Sequence, residues 1–201
     1  PRPPDRQIRG VFIQAELPLP MCTRQSLIDQ LRRHQPFNQH ERDMQAQLLA
    51  FVEKHENCFE RSLLIGHVTA SAWVVNPERT HVLLLHHGKL DKWLQPGGHC
   101  DGDADVLAVA LREVSEETGL CPAPVSKEIF DVDAHIIPER KGVPAHVHYD
   151  VRFLLEIGQD HQPVVSEESH DVEWVELSKV AARNTDESVL RMVSKTPPRV
   201  T

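Results

Sequence analysis

Positive charge is the first thing this 201-residue chain lacks: 30 acidic residues face 22 basic ones, a formal net charge of -8. Without surplus cations it releases few counterions from nucleic acid or anionic lipid, so non-specific binding to either is excluded as a primary role. Cysteine is scarce too. Cys22, Cys58, Cys100 and Cys121 form no C-x-x-C pair and are too few for a disulfide scaffold. They read as reduced thiols, which predicts a cytoplasmic protein. Long apolar runs are missing. Val82-Leu83-Leu84-Leu85 is among the longest, far below the ~20 residues of a membrane span, so no membrane partner is expected. Arg2, Asp5, Arg6 and Arg9 at the start are not the apolar stretch of a secretory leader. The remaining composition is that of a globular chain and excludes a collagen-like or coiled-coil one. At this length the chain can bury its own core.

Residues 1–20 hold five of the fifteen prolines and show no apolar period. They read as a flexible tail or as a non-native leader ahead of Met21. Residues 21–60 read as an N-terminal helical extension. One helix starts at Thr23, with Leu27 and Leu31 at i,i+4, and stops at Pro36. A second runs from Asn38, its N-cap, to about His55, with Glu41 placed as in a capping box and Met44, Leu48, Phe51 and Val52 as its stripe. The main domain spans 61–195. Strands are expected at Val68–Val75 and His81–His86, joined by Asn76-Pro77-Glu78-Arg79, then a short one at Trp93–Gln95 before Pro96-Gly97-Gly98. A helix is expected over Asp103–Thr118, ended by Gly119. Strands follow at Ser126–Ile137, His146–Glu156 and Val172–Val175, then a helix from about Leu177. Strands and helices without regular βαβ alternation predict a mixed sheet in an α/β (α+β) domain.

The chemistry concentrates after Gly97-Gly98. On the helix, Val106, Leu107, Ala110, Leu111 and Val114 form one apolar stripe. Glu113, Glu116 and Glu117 emerge from adjacent turns of one face, where like charges repel. Arg112, i,i+4 to Glu116, offsets part of that. A hard divalent cation would offset more, because Mg²⁺ and Mn²⁺ prefer carboxylate oxygens. A solvated acidic helix face is the plainer alternative for the same residues. Farther on, His146, His148, Asp150 and Arg152 alternate on a strand and share one face, with Val147, Tyr149, Val151 and Phe153 on the other. Such a polar stripe can line a substrate pocket, bind a second metal or simply face solvent. Trp93 and Trp174 can stack a base, although core positions are commoner for them.

Gly98, Arg112, Glu113, Val114, Glu116, Glu117, Gly119 and Leu120 resemble the Nudix box, G-x5-E-x7-R-E-U-x-E-E-x-G-U with U aliphatic. A chance match at those eight positions is on the order of one in a million at typical residue frequencies. One position departs: Ala104 stands where the family has its first glutamate, with Asp101, Asp103 and Asp105 nearby as candidates to compensate. The resemblance covers about residues 60–190. It implies a mixed sheet sandwiched between helices and a cytosolic hydrolase that cleaves a phosphoanhydride in a nucleoside diphosphate linked to X. It implies Mg²⁺ or Mn²⁺ held by Glu113, Glu116, Glu117 and the Gly98 carbonyl, with Arg112 orienting the glutamates. Divalent cations neutralise the diphosphate, orient it and acidify a water. The general base is implied to be Glu116 or a glutamate of the loop before the last strand, Glu168 or Glu167. His99, His146, His148 and Arg152 are the substrate-contact candidates, a small diphosphate or nucleotide is the partner, and a homodimer is the family's frequent assembly. Two other readings share the fold. One is an isomerase of isopentenyl diphosphate that works through Cys and Glu. The other is a diphosphate-binding module with turnover reduced by Ala104.

Overall fold

The computed structural model of the chain describes residues 22–140, 142–167 and 169–199. The tail expected at 1–20 lies outside them. Two helices come first. α1 (Arg24–Arg33) is capped by Thr23, whose side chain accepts from the Ser26 N–H, and α2 (Gln39–Lys54) by Asn38, whose side chain accepts from the Glu41 N–H. Their apolar residues Leu27, Leu31, Leu48 and Val52 are buried in the main core.

The sheet has eight strands: β1 (Gly66–Val75), β2 (His81–His87), β3 (Lys92–Leu94), β4 (Gly97–His99), β5 (Ala123–Pro124), β6 (Asp131–Ile137), β7 (His146–Glu156) and β8 (Ser169–Glu176). It is mixed. β1 runs parallel to β7 over its whole length and antiparallel to β4, while β6 pairs antiparallel with β7. β2 touches β1 at Val75–Val82 and pairs with β3 and β8 in the other half of the sheet. Alternation splits each central strand between two surroundings. Val68, Ala70, Ala72 and Val74 of β1 and Val151, Phe153 and Leu155 of β7 share a core with α1, α2 and α3 (Val106–Thr118). On the opposite face, Trp73, Val75 and Leu154 join a smaller core with Val189 and Met192 of α4 (Glu187–Lys195). Helices therefore cover both faces of the sheet. Between the small core and the sheet's N-terminal end, that second face is polar.

Several boundaries differ from those expected: β1 starts at Gly66 and β8 runs Ser169–Glu176, both longer than expected, and three more have a local cause. α3 starts at Val106, not Asp103, because the Asp105 side chain accepts from the Ala108 N–H at 3.1 Å and so caps the helix there. β6 starts at Asp131, not Ser126. Ser126 Oγ instead accepts from the Glu128 N–H at 2.8 Å, a local turn that keeps this segment off the ladder. The C-terminal helix is two pieces, a 3₁₀ turn at Leu177–Ala182 and then α4, which is capped by Asp186. Among the described residues no helix is long and apolar enough to cross a membrane.

Candidate functional site

The stripe Val106, Val109, Ala110 and Val114 fastens α3 to the core. That packing carries Glu113 and Glu117, one turn apart, to the Gly97-Gly98 backbone of β4. The Gly97 N–H donates to Glu117 Oε2 at 2.9 Å. A Cβ on Gly98 would lie 2.3 Å from Glu113 Oε2, and one on Gly97 would lie 2.4 Å from Ser71 Oγ. Gly97 is demanded by close approach, because its Cβ would also lie 2.7 Å from the Ser71 Cα, whereas a Cβ on Gly98 would displace the Glu113 carboxylate. Burial, and then the Glu116 carboxylate, raise the Glu113 carboxyl above its ordinary value.

Arg112 stands between the acidic groups. Its Nη2 donates to the His99 carbonyl at 3.3 Å and lies 3.5 Å from Glu113 Oε1; its Nε is 3.8 Å from Glu116 and its Nη1 3.8 Å from Asp103. Glu116 itself reaches solvent. The glutamates fan out around the β4 backbone and do not all converge within 4.8 Å of one another. Of the acidic residues near Ala104, Asp101 pairs with exposed Arg61, which holds its carboxyl below the ordinary value, and Asp105 is the α3 cap. Asp103 alone reaches Arg112. Ala104 packs against the main core.

These groups line a cleft of about 1350 Å³. Glu113, Glu116, Glu117, Arg112, Gly98 and His99 form one wall, and His148, Asp150 and Arg152 of the polar β7 stripe belong to the same cleft. His146 does not line it. Glu167 is exposed and also off the cleft, and Glu168 lies outside the described residues. The cleft thus joins the box residues to three members of the stripe, but it does so with Asp150 and Arg152 already engaged. Arg152 is 2% exposed. Its Nε donates to Asp150 at 2.7 Å and its Nη1 to Asp131 at 3.2 Å, with Asp133 at 3.6 Å. Asp150 also accepts from Ser71 at 2.7 Å and Thr69 at 3.0 Å. Arg152 thus holds the cleft floor by charge pairing rather than presenting a spare donor.

The network extends away from the cleft. Asp131 accepts from Arg191 of α4 at 2.9 and 2.8 Å and from Lys195 at 2.8 Å; Lys195 also reaches Glu41 of α2 at 2.5 Å. Asp131 and Asp133 escaped the sequence reading. Their signal was the same two-residue alternation read on β7, displaced one strand over: Asp131, Asp133 and His135 on β6.

His67 was missed in the same way. It begins an alternation with Thr69 and Ser71 in a strand that is buried throughout. The His67 ring lies 4.8 Å from His148, 5.1 Å from His146 and 5.1 Å from His99. Burial first, then the neighbouring rings, push His67 down to about 4 and His148 to about 2.

The cysteines are all unpaired; Cys100, beside the site, is buried, and burial drives its thiol far above the ordinary range. Trp93 is 8% exposed and lies between the His86 ring, stacked at 5.0 Å, and the Arg183 guanidinium at 4.6 Å, a structural position.

A family model described as the NUDIX domain matches residues 66–194. A "Probable DHNTP pyrophosphohydrolase" of Lactococcus lactis subsp. cremoris is 34% identical over 92 residues, which cover 45% of this chain and 54% of that protein. The chain thus matches about half the length of this curated relative. Among solved structures, a MutT protein from Methanosarcina mazei Go1 is similar at TM-score 0.54 and 21% identity, covering 65% of this chain and 92% of that one. The NUDIX domain of Shewanella oneidensis NrtR, solved with ADP ribose, is similar at TM-score 0.52 and 18% identity, covering 64% of this chain and 84% of that one. At these identities the two structures show the fold alone.

Proposed function

Because the chain belongs to the NUDIX domain family, we propose that it is a metal-dependent pyrophosphohydrolase whose substrate is a nucleoside diphosphate linked to a further group or a similar small diphosphate. One observation carries the reading: Glu113 and Glu117 bracket the Gly97-Gly98 backbone on the wall of the large cleft. The donor set suits a hard divalent cation. It consists of carboxylates and a backbone carbonyl, and one of the carboxyls is destabilised in its charged form by burial and a like-charged neighbour. Mg²⁺ or Mn²⁺ would be held by Glu113, Glu117, Glu116 and the Gly98 carbonyl. A bound cation of this kind neutralises a diphosphate and acidifies a water.

The chain's own groups do the rest. Arg112 fixes the separation of Glu113 and Glu116 and ties both to the end of β4. Glu116, on the solvent side of that wall, is the general-base candidate within the described residues, with Glu168 the alternative. His99 and His148 offer ring contacts to the substrate in the cleft, and Arg152 braces the floor by pairing with Asp131, Asp133 and Asp150. Buried Cys100, with its thiol driven upward, weighs against an isomerase that works through that cysteine.

The test is a panel of DHNTP, ADP ribose, dinucleoside polyphosphates and nucleoside triphosphates, assayed for phosphate or pyrophosphate release with Mg²⁺ and with Mn²⁺. Turnover of at least one compound that Glu117→Gln abolishes supports the reading. Tight binding with no turnover across the panel replaces it with the binding-module reading. A gain of turnover in Ala104→Glu would show that the natural site is weakened at that position.

A further inference from the structure

Among the described residues, one group of three or more histidine, cysteine or carboxylate side chains brings its ligand atoms within 4.8 Å of one another: His67, His146 and His148. The backbone dictates this meeting. His146 and His148 are two apart on β7 and share a face. His67 stands beside His148 in the parallel β1–β7 ladder. The ring centroids lie 4.8 to 5.2 Å apart in all three pairs. All three residues sit on paired strands rather than loops, so the sheet holds their positions.

Their hydrogen bonding is what ordinary buried histidines avoid. His67 is 3% exposed, yet neither ring nitrogen has a hydrogen-bond partner among the described protein groups. The Leu63 carbonyl is near enough to favour a charged ring but stands outside hydrogen-bond geometry. His148 Nε2 is likewise buried and unpaired. Buried polar atoms are nearly always satisfied, so two such rings side by side call for a reason. His146 supplies a complementary sign. Its Nδ1 lies 2.8 Å from the Pro144 carbonyl. A carbonyl only accepts, so Nδ1 carries the proton and Nε2 keeps its lone pair. An outer hydrogen bond of this kind is what orients a metal-ligating histidine.

We propose that His67, His146 and His148 form a second cation site, one that takes a borderline transition metal of the zinc class. Imidazole suits Zn²⁺, Co²⁺ or Ni²⁺, whereas Mg²⁺ prefers oxygen donors. Three protein ligands are the set that zinc takes when a further position stays open. His99, whose ring is 5.1 Å from His67 and 5.0 Å from His148, is the nearest further imidazole. The site abuts the cleft through His148 but differs from the glutamate site in donor chemistry. It stands whether or not the pyrophosphohydrolase reading does.

The test strips the full chain with a chelator, adds excess Mg²⁺ to occupy the glutamates, and titrates Co²⁺ while visible d–d absorption is recorded. Zn²⁺ is then used as competitor. One equivalent is expected to bind, to resist Mg²⁺ and to raise the melting temperature by mass action. The double variant Glu113→Gln/Glu117→Gln should keep the affinity within a few-fold. His146→Ala and His148→Ala should each weaken it by at least about 100-fold, beyond the 10–100-fold that outer-shell changes cost. Should His148→Ala fail to fold by circular dichroism, His146→Ala decides, because His146 lies at the partly exposed start of β7. The proposal is overturned if the wild type binds neither Co²⁺ nor Zn²⁺ in excess Mg²⁺, if the glutamate variant abolishes the binding, or if folded His146→Ala binds like the wild type.

Discussion

Two buried polar clusters share one face of β7 and are built to opposite rules. At Asp150 and Arg152 charge meets charge: Arg152 touches three carboxylates, and Asp131 is met in turn by Arg191 and Lys195. Two residues earlier, at His148, buried ring nitrogens face one another without partners. The charge cluster is the deeper one, with Asp150 and Arg152 buried and His146 and His148 only partly so, yet depth is not the difference that matters most. Satisfaction is. A fully paired network specifies a packing and couples five elements, β1, β6, β7, α2 and α4. An unpaired one costs stability, and the cation site proposed above would account for keeping it.

The contrast can be broken most forcefully at Arg152. Arg152→Met leaves Asp131, Asp133 and Asp150 short of a buried counter-charge, and urea unfolding should show a loss of about 3–5 kcal/mol. Acid attacks the same network from Glu41. Burial alone would raise this carboxyl, but hydrogen bonds from His34, Lys195 and the Phe37 N–H outweigh it and hold it at about 2. A depressed carboxyl contributes stability that is fully present above its unfolded value near 4.5 and is lost as pH falls through that value toward 2. Urea midpoints across that window should drop, by up to about 3 kcal/mol at its foot, and Glu41→Gln should flatten the dependence. Glu117→Gln separates the cleft wall from both clusters. The Gly97 N–H keeps an acceptor, so stability should hold, while turnover on the true substrate should fall at least ~100-fold, about 2.7 kcal/mol of transition-state stabilisation. The smallest effect has the opposite sign. In metal-free protein, His67→Leu removes two unpaired nitrogens and should leave stability equal or raise it by about 1 kcal/mol. A loss comparable to that of Arg152→Met would show that the histidines are paired after all, and the comparison would fail.

Local rules were legible in the sequence where the deciding partner is near in the chain. Asn38 and Gly119 cap their helices as their types predict: the Asn38 side chain accepts from the Glu41 N–H, and Gly119 takes the left-handed conformation at φ 70°. The box glutamates and Arg112 meet the Gly97-Gly98 backbone because all of them lie within one turn-and-helix unit. Glu41 was legible only in part. Its spacing suggests a capping-box acid, but its carboxylate is claimed by His34 and by Lys195, 154 residues away. The stripe on β7 was visible as alternation, yet nothing local distinguishes His148 from Arg152. What separates them is the register of the neighbouring strands: β6 supplies Asp131 and Asp133 to the one, and β1 supplies His67 to the other. Register across strands far apart in sequence is information that a two-residue period does not carry.

The parallel pairing of β1 with β7 has a kinetic consequence. Thr69 and Asp150, bonded across it, are separated by 81 residues. Antiparallel neighbours can zip from a hairpin, but this ladder must close a long loop before its first contact is rewarded. Neither the Asp150 network nor the three-histidine group exists until that closure, so any cation they hold is captured late on the folding route. Hydrogen exchange during refolding should therefore protect the caps and helices of residues 24–54 before the amides of β1 and β7. A metal ion added at the start should slow unfolding far more than it speeds refolding.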